Sequence, residues 1–335
     1  MDNLFDYKDC FSEFRDVKSQ LVLGDKDKRS PRVSILMPVY SHFEFFEQAL
    51  QSAVHQDYND DYEIVVVDNN PIGGDITEYQ KIIERADSSK IMYYRNEKNI
   101  GLFGNWNRCV ELARGEYVTF LHDDDMLLSN CLTVLMEAAS RHGIKLLFPE
   151  QNIINENNQI METSVDTSKR CGLFRLKKEY SIDLLDKYIR NRGCGVGCLY
   201  NKKSIIDLGG YNKEYDPSSD YALNIRYVEK YGAMAISECL FNYRRAVNYS
   251  YDCYDRWPDM DRFLRESILK KEGRYNLFTK KITSAFFNVQ SDIVKKQFGN
   301  NRELPGEKIK LSKLDIVLYN IVCRISRMKC FVLSL

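Results

Sequence analysis

The sequence lacks an excess of charge of either sign. It has 48 lysine and arginine residues and 48 aspartate and glutamate residues among 335, so its formal net charge at pH 7 is zero. This balance gives no electrostatic reason to expect a nucleic-acid partner. The first 30 residues are polar and lack the apolar stretch of a secretory signal. We therefore expect a cytoplasmic protein that binds no nucleic acid.

The ten cysteines include no Cys-x-x-Cys pair, and Cys194 and Cys198 are spaced unlike the ligands of a zinc knuckle. This pattern argues against a structural zinc site and a paired redox motif, and it favours buried, reduced thiols. Apolar residues make up 44% of the chain and aromatic residues 12%. At this length such a composition supports a sizeable core, which excludes a disordered chain.

Strand-like apolar runs alternate with helical patterns from Arg32 to about Phe148. This alternation predicts an α/β fold in which helices flank a mainly parallel, Rossmann-like sheet. Helical spacing of apolar residues follows the first, third and fourth of these runs, and we interpret these stripes as core. The predicted strands are Val33–Val39, Glu63–Asp68, Ile91–Tyr94, Tyr117–Leu121 and Ile144–Phe148.

Polar or turn residues follow three of these strands. The first ends in Pro38-Val39-Tyr40, the second in Asp68-Asn69-Asn70, and the fourth in Asp123-Asp124-Asp125. Each alone is a plausible turn, but ligands of open α/β sheets bind outside the carboxyl ends of the strands. Three polar ends on one edge therefore predict a binding crevice.

The run of three aspartates is the strongest single signal in the chain. Like charges crowded at a strand end repel one another, and a hard divalent cation such as Mg²⁺ or Mn²⁺ relieves that repulsion and leaves room for phosphate oxygens. Two arrangements are open: Asp123 and Asp125 chelate together on one face, or Asp124 binds the ion beside His122. The alternative is structural, with Asp124 or Ser129 capping the helix that follows.

In their order and spacing these motifs resemble those of the family 2 glycosyltransferases, which transfer sugars from nucleotide diphosphates on a GT-A fold. The resemblance covers roughly residues 32 to 250. The segments that carry it are the first strand with its Pro38–Tyr40 turn, Ile64–Asp68, Asn99-x-Gly101 with Asn107, Ala113-x-Gly115-Glu116-Tyr117, Leu121–Asp125, Leu208–Tyr211 and Ser219–Leu223.

The resemblance implies a role for each matching residue. Asp220 would be the general base that accepts the proton of an acceptor hydroxyl, and attack opposite the diphosphate would invert the anomeric configuration. A structural alternative for Asp220 is a helix cap, which is compatible with catalysis. Asp123, Asp124 and Asp125 would bind the metal, Mn²⁺ or Mg²⁺, and the diphosphate. Nucleotide-sugar contacts are expected from Pro38, Val39, Tyr40, Asp68, Asn99, Gly101, Asn107, Asp123 and Arg244.

Some positions differ from the usual family pattern. Ser41 replaces a common asparagine, and Asn69 stands where a second aspartate is frequent. Ser219 replaces one carboxylate of an acidic pair, and His122 occupies a position often held by aspartate. The clamp role implied for Arg244 or Arg245, with Asn248–Ser250 in a mobile segment, competes with a solvated arginine pair.

The predicted organisation has three parts. Residues 1–30 form a polar extension, and residues 31–250 form the GT-A domain. That domain divides into a nucleotide-sugar half (31–150) and an acceptor half (151–250). Residues 251–335 form a helical C-terminal region. The segment Leu314–Leu335 mixes apolar and cationic residues. It suits either a packed helix or one lying on an anionic membrane surface, so peripheral association with the inner face of the cell membrane is one expectation.

The sequence thus predicts a metal-dependent, inverting glycosyltransferase. Its donor would be a nucleotide-diphosphate sugar, with uridine the commonest base in the resembled family, and its acceptor a glycan or lipid-linked saccharide used in surface polysaccharide synthesis. Two rival classes are a sugar nucleotidyltransferase and a non-catalytic sugar-binding protein. The glycine-rich basic loop of the first is absent, and the retained acidic residues argue against the second.

Overall fold

A computed structural model describes residues 3–25, 30–41, 43–71, 77–86, 88–164, 174–190, 195–245, 253, 255–298, 311–328 and 331–333. The strands are β1 Ser19–Leu23, β2 Val33–Val39, β3 Tyr62–Asp68, β4 Ile91–Asn96, β5 Tyr117–Phe120, β6 Met126–Leu127, β7 Leu146–Ile154, β8 Ile160–Thr163, β9 Phe174–Leu176, β10 Glu179–Ile182, β11 Leu199–Asn201, β12 Ala233–Arg244 and β13 Phe331–Leu333. The helices are α1 Phe46–Val54, α2 Glu78–Ala86, α3 Gly101–Leu112, α4 Cys131–His142, α5 Leu184–Ile189, α6 Lys202–Asp207, α7 Ser219–Tyr231, α8 Trp257–Lys271, α9 Leu277–Phe298 and α10 Lys313–Met328.

One large mixed sheet organises the molecule, in the order β1-β4-β3-β2-β5-β11-β7-β12-β10. Strands β4, β3, β2 and β5 are all parallel, whereas β11 runs antiparallel to both β5 and β7. Strand β12 is parallel to β7 and antiparallel to β10. The predicted α/β fold class, a Rossmann-like sheet with a helical C-terminal region, is confirmed, and its four adjacent parallel strands lie in the N-terminal half.

Alternate residues of the central strands supply two cores on opposite faces of the sheet. In β2, for example, Leu36 belongs to one core while Ile35 and Met37 belong to the other. The Leu36 face is covered by α3, α5, α7 and α8, and the Ile35 face by α1, α2 and α4. Burial on both faces explains why the parallel strands appear in the sequence as continuous apolar runs.

A buried carboxylate fixes the parallel strands to one another. Glu63 of β3 accepts hydrogen bonds from the Ser34 hydroxyl of β2 (2.7 Å) and from the Arg114 backbone N–H (2.7 Å). The Arg114 Nε adds a bond of 2.8 Å. Because the charge of Glu63 is paired and hydrogen-bonded, it can be buried at low cost. The Ala113–Tyr117 segment is thereby held at the start of β5.

Most predicted elements agree with the structure within a few residues. Strand β4 continues to Asn96, and β5 ends at Phe120 instead of Leu121. The run predicted at Ile144–Phe148 begins at Leu146 and continues to Ile154, where Asn155–Gln159 turns the chain into β8. Helix α4 ends at Gly143, whose φ of 62° is the left-handed conformation that glycine adopts without strain.

The N-terminal residues pack against the domain. Strand β1 forms the edge of the sheet beside β4, and the Leu4 and Val17 side chains are buried. The Arg108 guanidinium of α3 donates to the carbonyl oxygens of Phe14 (2.9 Å) and Val17 (2.7 Å). The division at residue 30 stays a prediction, but packing crosses it.

The C-terminal helices also share a core with the sheet. Leu264 and Ile268 of α8 and Phe286 of α9 are fully buried in the same cluster as Leu36 and Phe120. The Arg265 side chain pairs with Asp261 at 2.6 Å and donates to the carbonyl oxygen of Tyr188 in α5. The boundary drawn at residue 250 therefore does not coincide with a break in packing.

Among the described residues, every helix falls short of the length and apolarity needed to cross a bilayer.

The shared core predicts a difference between two phenylalanines of α9. Phe286→Ala empties a fully buried site and should destabilise the protein by about 3–5 kcal/mol. Phe278→Ala removes a ring that is 67% exposed and should change the free energy of unfolding little. Urea unfolding followed by circular dichroism and by tryptophan fluorescence measures both. A separate transition for the C-terminal helices in the Phe286 variant would contradict a common core.

Candidate active site

The three polar strand ends meet at one edge of the sheet, as the sequence predicts. Val39 lies directly beside Asp68 in the register of β2 and β3, and the Asn69 N–H donates to the Val39 carbonyl oxygen at 3.0 Å. On the other side of β2, the Leu121 N–H donates to the carbonyl oxygen of Leu36 at 2.9 Å. The carboxyl ends of β2, β3 and β5 therefore lie side by side at one edge of the sheet.

Three potential metal ligands come together directly after β5. One ligand atom each of His122, Asp124 and Asp125 lies within 4.8 Å of the others. The His122 Nδ1 is 3.7 Å from the Asp125 Oδ2. Asp123 lies apart from this group, since its Oδ2 accepts a hydrogen bond from the Tyr79 hydroxyl at 3.0 Å. Of the two arrangements left open by the sequence, the one with Asp124 beside His122 matches the structure more closely, with Asp125 added.

Burial controls the charge of this cluster. It raises the pKa of Asp125 well above the ordinary value, with the neighbouring Asp124 carboxylate adding to the effect. Burial and Asp124 raise the pKa of Asp123 in the same way. Burial lowers the pKa of His122 to about 4, so its imidazole is neutral near pH 7 and able to bind a cation.

The residues present fit a hard or borderline divalent cation. Within the described ranges, the buried Asp125 Oδ2 and His122 Nε2 atoms have no hydrogen-bond partner. A cation bound by the carboxylates and the imidazole would give these two atoms a partner and would neutralise part of the crowded negative charge. Two carboxylates and one imidazole are a ligand set that Mn²⁺ accepts readily and Mg²⁺ less so.

The capping alternative for this segment is not what the structure shows. Helix α4 begins at Cys131, and Asn130 occupies the cap position without a side-chain hydrogen bond to the helix. Asp124 and Ser129 lie ahead of that position.

Arg244, at the end of β12, is fully buried against this loop. Its backbone N–H donates to the Asp125 Oδ1 at 2.8 Å, and its Nε donates to the Asp124 carbonyl oxygen at 2.8 Å. The guanidinium also bonds the Asn155 carbonyl oxygen (2.9 Å) and lies 4.2 Å from the ring centre of Phe45. In this arrangement Arg244 holds the aspartate loop in place. Its phosphate contact stays a prediction, and Asn248–Ser250 lie outside the described residues.

Hydrogen bonds of Asn69 organise the end of β3. Its Oδ1 accepts from the Ile100 N–H at 3.0 Å, and its Nδ2 donates to the Asn99 Oδ1 at 2.9 Å and to the Gly101 carbonyl oxygen at 3.3 Å. Asn69 therefore joins the end of β3 to the start of α3. The sequence placed Asn69 among the polar residues at a strand end and noted it as a departure from the family pattern, but it gave no sign of these contacts with the start of α3.

The predicted nucleotide residues differ in how accessible they are. Asp68 is fully buried and accepts hydrogen bonds from the Tyr93 hydroxyl (2.7 Å) and the Asn70 N–H (2.9 Å). Pro38 and Val39 are buried, whereas 47% of the Tyr40 surface is exposed. The side-chain amide of Asn107 forms two hydrogen bonds with the backbone of Tyr211. Its Oδ1 accepts from the N–H at 2.8 Å, and its Nδ2 donates to the carbonyl oxygen at 2.9 Å. The binding roles of these residues stay predictions.

Asp220 lies in the first turn of α7, which begins at Ser219. Its Oδ1 accepts the Tyr221 N–H at 2.7 Å. Burial raises the pKa of Asp220 to about 6, although this hydrogen bond and the nearby Lys187 ammonium act in the opposite direction. The carboxylate is therefore ionised at pH 7 and poised to accept a proton.

The Trp106 ring packs against both His122 and Tyr211. Its ring lies 5.2 Å from the His122 ring and 5.0 Å from the Tyr211 ring, measured between centroids. The Asp220 charge acts on Tyr211, whose pKa it raises in addition to the larger effect of burial. The sequence assigned Trp106 to a core stripe, and helical spacing alone gave no sign that its ring also contacts His122.

A Rossmann-like sheet with carboxylates and a histidine at its carboxyl edge is the architecture of a GT-A glycosyltransferase. The sequence profile of the family described as Glycosyl transferase family 2 matches residues 34–209, and this chain belongs to that family.

Several relatives carry more specific descriptions. A Campylobacter jejuni GalNAc(5)-diNAcBac-PP-undecaprenol beta-1,3-glucosyltransferase is 30% identical over 55% of this chain and 56% of its own length. The Escherichia coli enzyme WfgD, a UDP-Glc:alpha-D-GlcNAc-diphosphoundecaprenol beta-1,3-glucosyltransferase, is 28% identical over 61% of this chain and 73% of its own. The match thus spans little more than half the length of the C. jejuni relative.

Solved structures share the fold at low identity. The S. aureus TarS fragment 1–349 in complex with UDP-GlcNAc has a TM-score of 0.57 and 14% identity, over 89% of this chain and 81% of that one. The Pyrobaculum calidifontis mannosyltransferase PcManGT, in complex with GDP-Man and Mn²⁺, has a TM-score of 0.50 and 15% identity, over 92% and 87%. These likenesses confirm the fold.

The ligand geometry predicts the effect of Asp124→Ala on metal binding. Removal of one of two carboxylate ligands should weaken Mn²⁺ binding about 10- to 100-fold, because the remaining groups supply less charge. Titration of Mn²⁺ followed by electron paramagnetic resonance measures the loss. Asp16→Ala, which removes an exposed carboxylate far along the chain, is the matched control and should bind as the parent does. Equal affinity in both variants would rule out Asp124 as a ligand.

Proposed function

We propose that this protein is a metal-dependent, inverting glycosyltransferase. It would transfer a sugar from a nucleotide-diphosphate donor, with uridine diphosphate the favoured carrier, to a hydroxyl of a glycan or lipid-linked acceptor. One observation carries the proposal: His122, Asp124 and Asp125 form a candidate metal cluster at the carboxyl edge of the sheet, separate from the Asp220 carboxylate in the first turn of α7. Glycosyl transfer needs both an electrophilic site for the diphosphate and a base for the acceptor.

The donor half of the site would bind and orient the nucleotide. His122, Asp124 and Asp125 would hold Mn²⁺ or Mg²⁺, which supplies Lewis-acid stabilisation of the departing diphosphate. The exposed Tyr40 ring at the end of β2 is available for stacking on the base. Asp68, Asn99, Gly101 and Asn107 shape the crevice floor through the hydrogen bonds described above. Arg244 keeps the aspartate loop in register.

Asp220 would act on the acceptor. Its carboxylate takes the proton as the acceptor oxygen forms a bond to the anomeric carbon, while the bond from that carbon to the diphosphate oxygen breaks with its electron pair. The nucleoside diphosphate leaves on the opposite face, so the configuration inverts. A base with a pKa of about 6 is largely ionised at neutral pH yet basic enough to assist this transfer.

Relatives support the acceptor class. The C. jejuni and E. coli proteins are named for glucosyl transfer to undecaprenol-diphosphate-linked sugars. TarS and PcManGT are seen with UDP-GlcNAc and GDP-Man. We therefore favour a lipid-linked saccharide acceptor in surface polysaccharide synthesis.

The base assignment predicts the pH dependence of transfer. Because only ionised Asp220 accepts a proton, kcat/KM should fall about tenfold per pH unit below pH 6 and level off above it. Release of nucleoside diphosphate from candidate donors in the presence of Mn²⁺ and acceptor measures the rate.

The variant that tests the base assignment directly is Asp220→Asn, which keeps the size and polarity of the side chain but removes its charge. It should lower kcat about 100- to 10,000-fold and leave donor binding intact. Asp216→Asn, in the loop before α7, alters a carboxylate that pairs with Arg256 and should retain activity. Synthesis of a sugar nucleotide from nucleoside triphosphate and sugar phosphate would instead identify a nucleotidyltransferase.

A membrane-facing surface fits a lipid-linked acceptor. Helix α10 exposes Leu314, Val317 and Ile321, at 65, 51 and 48% of their surfaces, at helical spacing on one side. Exposed Lys313 and Arg324 lie at the two ends of this stripe. Apolar side chains between cationic ones suit the headgroup region of an anionic bilayer. We propose that this stripe places the protein at the inner face of the cell membrane.

The stripe predicts binding to anionic vesicles. The triple variant Leu314→Ser, Val317→Ser, Ile321→Ser should lose most cosedimentation with phosphatidylglycerol vesicles, because it removes the apolar area that would enter the bilayer. The control Ile160→Ser, Met161→Ser changes comparably exposed apolar residues of β8 and should bind as the parent does. Binding that survives in the triple variant would exclude this surface.

A further inference from the structure

A cavity of about 290 Å³ lies between the N-terminal segment 3–8 and the residues around the start of α7. Its floor is formed by Asn212, Tyr215 and Arg226, each of which is only 4–5% exposed. Asn212 and Tyr215 belong to the segment that leads into α7, and Arg226 lies on α7 itself. The residues that line this cavity are different from those assigned above to the metal, the donor and the proton transfer. The Arg226 cavity is therefore a second pocket.

Arg226 places a buried charge on the floor of this cavity without a counter-charge. Its Nη2 donates to the carbonyl oxygen of Leu208 at the C-terminal end of α6. Among the residues that the structure describes, it forms no ion pair with a carboxylate. Its Nε and Nη1 lack an acceptor there as well, yet neither nitrogen is a fully buried atom. Since Arg226 lines the cavity, these two N–H groups face it.

The position of this guanidinium favours an anion in the cavity. Burial lowers the pKa of Arg226, but an arginine stays charged at neutral pH. A buried charge is costly unless a partner of opposite sign compensates it. The bond to Leu208 accounts for one nitrogen and supplies no negative charge. An oxyanion that accepts from Nε and Nη1 would supply both the acceptors and the charge.

The mouth of the cavity offers hydrogen-bond acceptors and an aromatic ring. Glu214 pairs with Lys8 at 2.6 Å, and Asp6 accepts from the Asn3 amide at 3.0 Å. Both carboxylates keep lone pairs that can accept from hydroxyl groups. They would repel a bare anion, since their own charge is negative. Tyr7, also at the mouth, exposes 66% of its surface and presents a ring face.

These groups fit a sugar that carries an oxyanion. A guanidinium binds phosphate or carboxylate oxygens with paired hydrogen bonds. Carboxylates at the mouth suit the hydroxyls of the same molecule, and an aromatic face suits the apolar face of a sugar ring. The volume, about 290 Å³, lies near the lower end of small-molecule sites, roughly 300–1,000 Å³, and favours a monosaccharide over a whole sugar nucleotide.

We propose that the Arg226 cavity binds a monosaccharide with an oxyanion, either a sugar phosphate or a uronic acid, with the anionic group on Arg226 and hydroxyls on Asp6 and Glu214. This inference does not depend on the proposed role of Asp220 or on transfer activity. Because Arg226 lies on α7, an occupant of the cavity contacts the helix whose first turn carries Asp220.

Isothermal titration calorimetry with glucose 1-phosphate in the presence of EDTA tests the proposal. Arg226→Met should weaken binding about 10- to 100-fold, because charge-assisted hydrogen bonds are lost. Arg85→Met removes an exposed arginine of α2 and is the matched control, which should bind as the parent does. Asp124→Ala should also bind as the parent does, since EDTA keeps divalent cations from the candidate metal cluster. Equal binding in Arg226→Met and the parent, or loss of binding in Asp124→Ala, would overturn the proposal.

Asp6→Ala tests the sugar contact at an exposed position and keeps the proposal testable if Arg226→Met fails to fold. It should weaken glucose 1-phosphate about 2- to 10-fold, because a hydroxyl loses its acceptor. It should strengthen the binding of inorganic phosphate, because one repelling charge is gone. A variant that binds both ligands more tightly would indicate an anion site without sugar recognition and would overturn the proposal.

Two further ligands identify the oxyanion. Glucuronic acid carries a carboxylate, and glucose carries no charge. Tighter binding of glucose 1-phosphate than of glucuronic acid would support a sugar phosphate, and the reverse order would support a uronic acid. Glucose should bind at least about tenfold more weakly than the better of the two, because it cannot compensate the charge of Arg226. Binding of glucose equal to both, or binding of none of the three, would contradict the proposal.

Discussion

Crowded carboxylates at the carboxyl edge of a buried parallel sheet are the constraint on which the site depends. Asp125 has no exposed surface, and its neighbours Asp123 and Asp124 carry like charges. Two hydrogen bonds offset part of the free-energy cost of burying these charges. The Arg244 N–H donates to one oxygen of Asp125, and the Tyr79 hydroxyl donates to Asp123. The remaining acceptors are the ones that a divalent cation would bind, so the strain of the site and its proposed chemistry have the same origin.

The same loop is tied to distant parts of the chain. Arg244 links it to the β7–β8 turn, and Trp106 links His122 to Tyr211 and hence to the surroundings of Asp220. The proposed donor and acceptor sites share these contacts and would therefore keep a fixed separation. Such preorganisation is what transfer between two bound substrates requires, because misplacement by about 1 Å lowers the rate steeply.

The helices after residue 250 belong to this arrangement. Arg265 and Thr283 hold α5, and α5 places Lys187 beneath the helix that carries Asp220. This C-terminal region, which the sequence describes as helical with apolar and cationic residues mixed near its end, thus has two different faces. One packs into the core that contains Phe286, and the other exposes the Leu314, Val317 and Ile321 stripe.

The sequence by itself determined the α/β class, the strands from Val33 to Phe120 and the family, because apolar periodicity and motif order are local properties. It also singled out Asp124, Asp125 and Asp220 as candidate site residues, since carboxylates at strand and helix ends are visible in the chain. Only the tertiary structure decided that His122 joins Asp124 and Asp125 while Asp123 turns to Tyr79. It alone brought the Tyr221 hydroxyl of α7 to the carbonyl oxygen of Lys187 in α5, because contacts between residues far apart in sequence depend on how the helices pack.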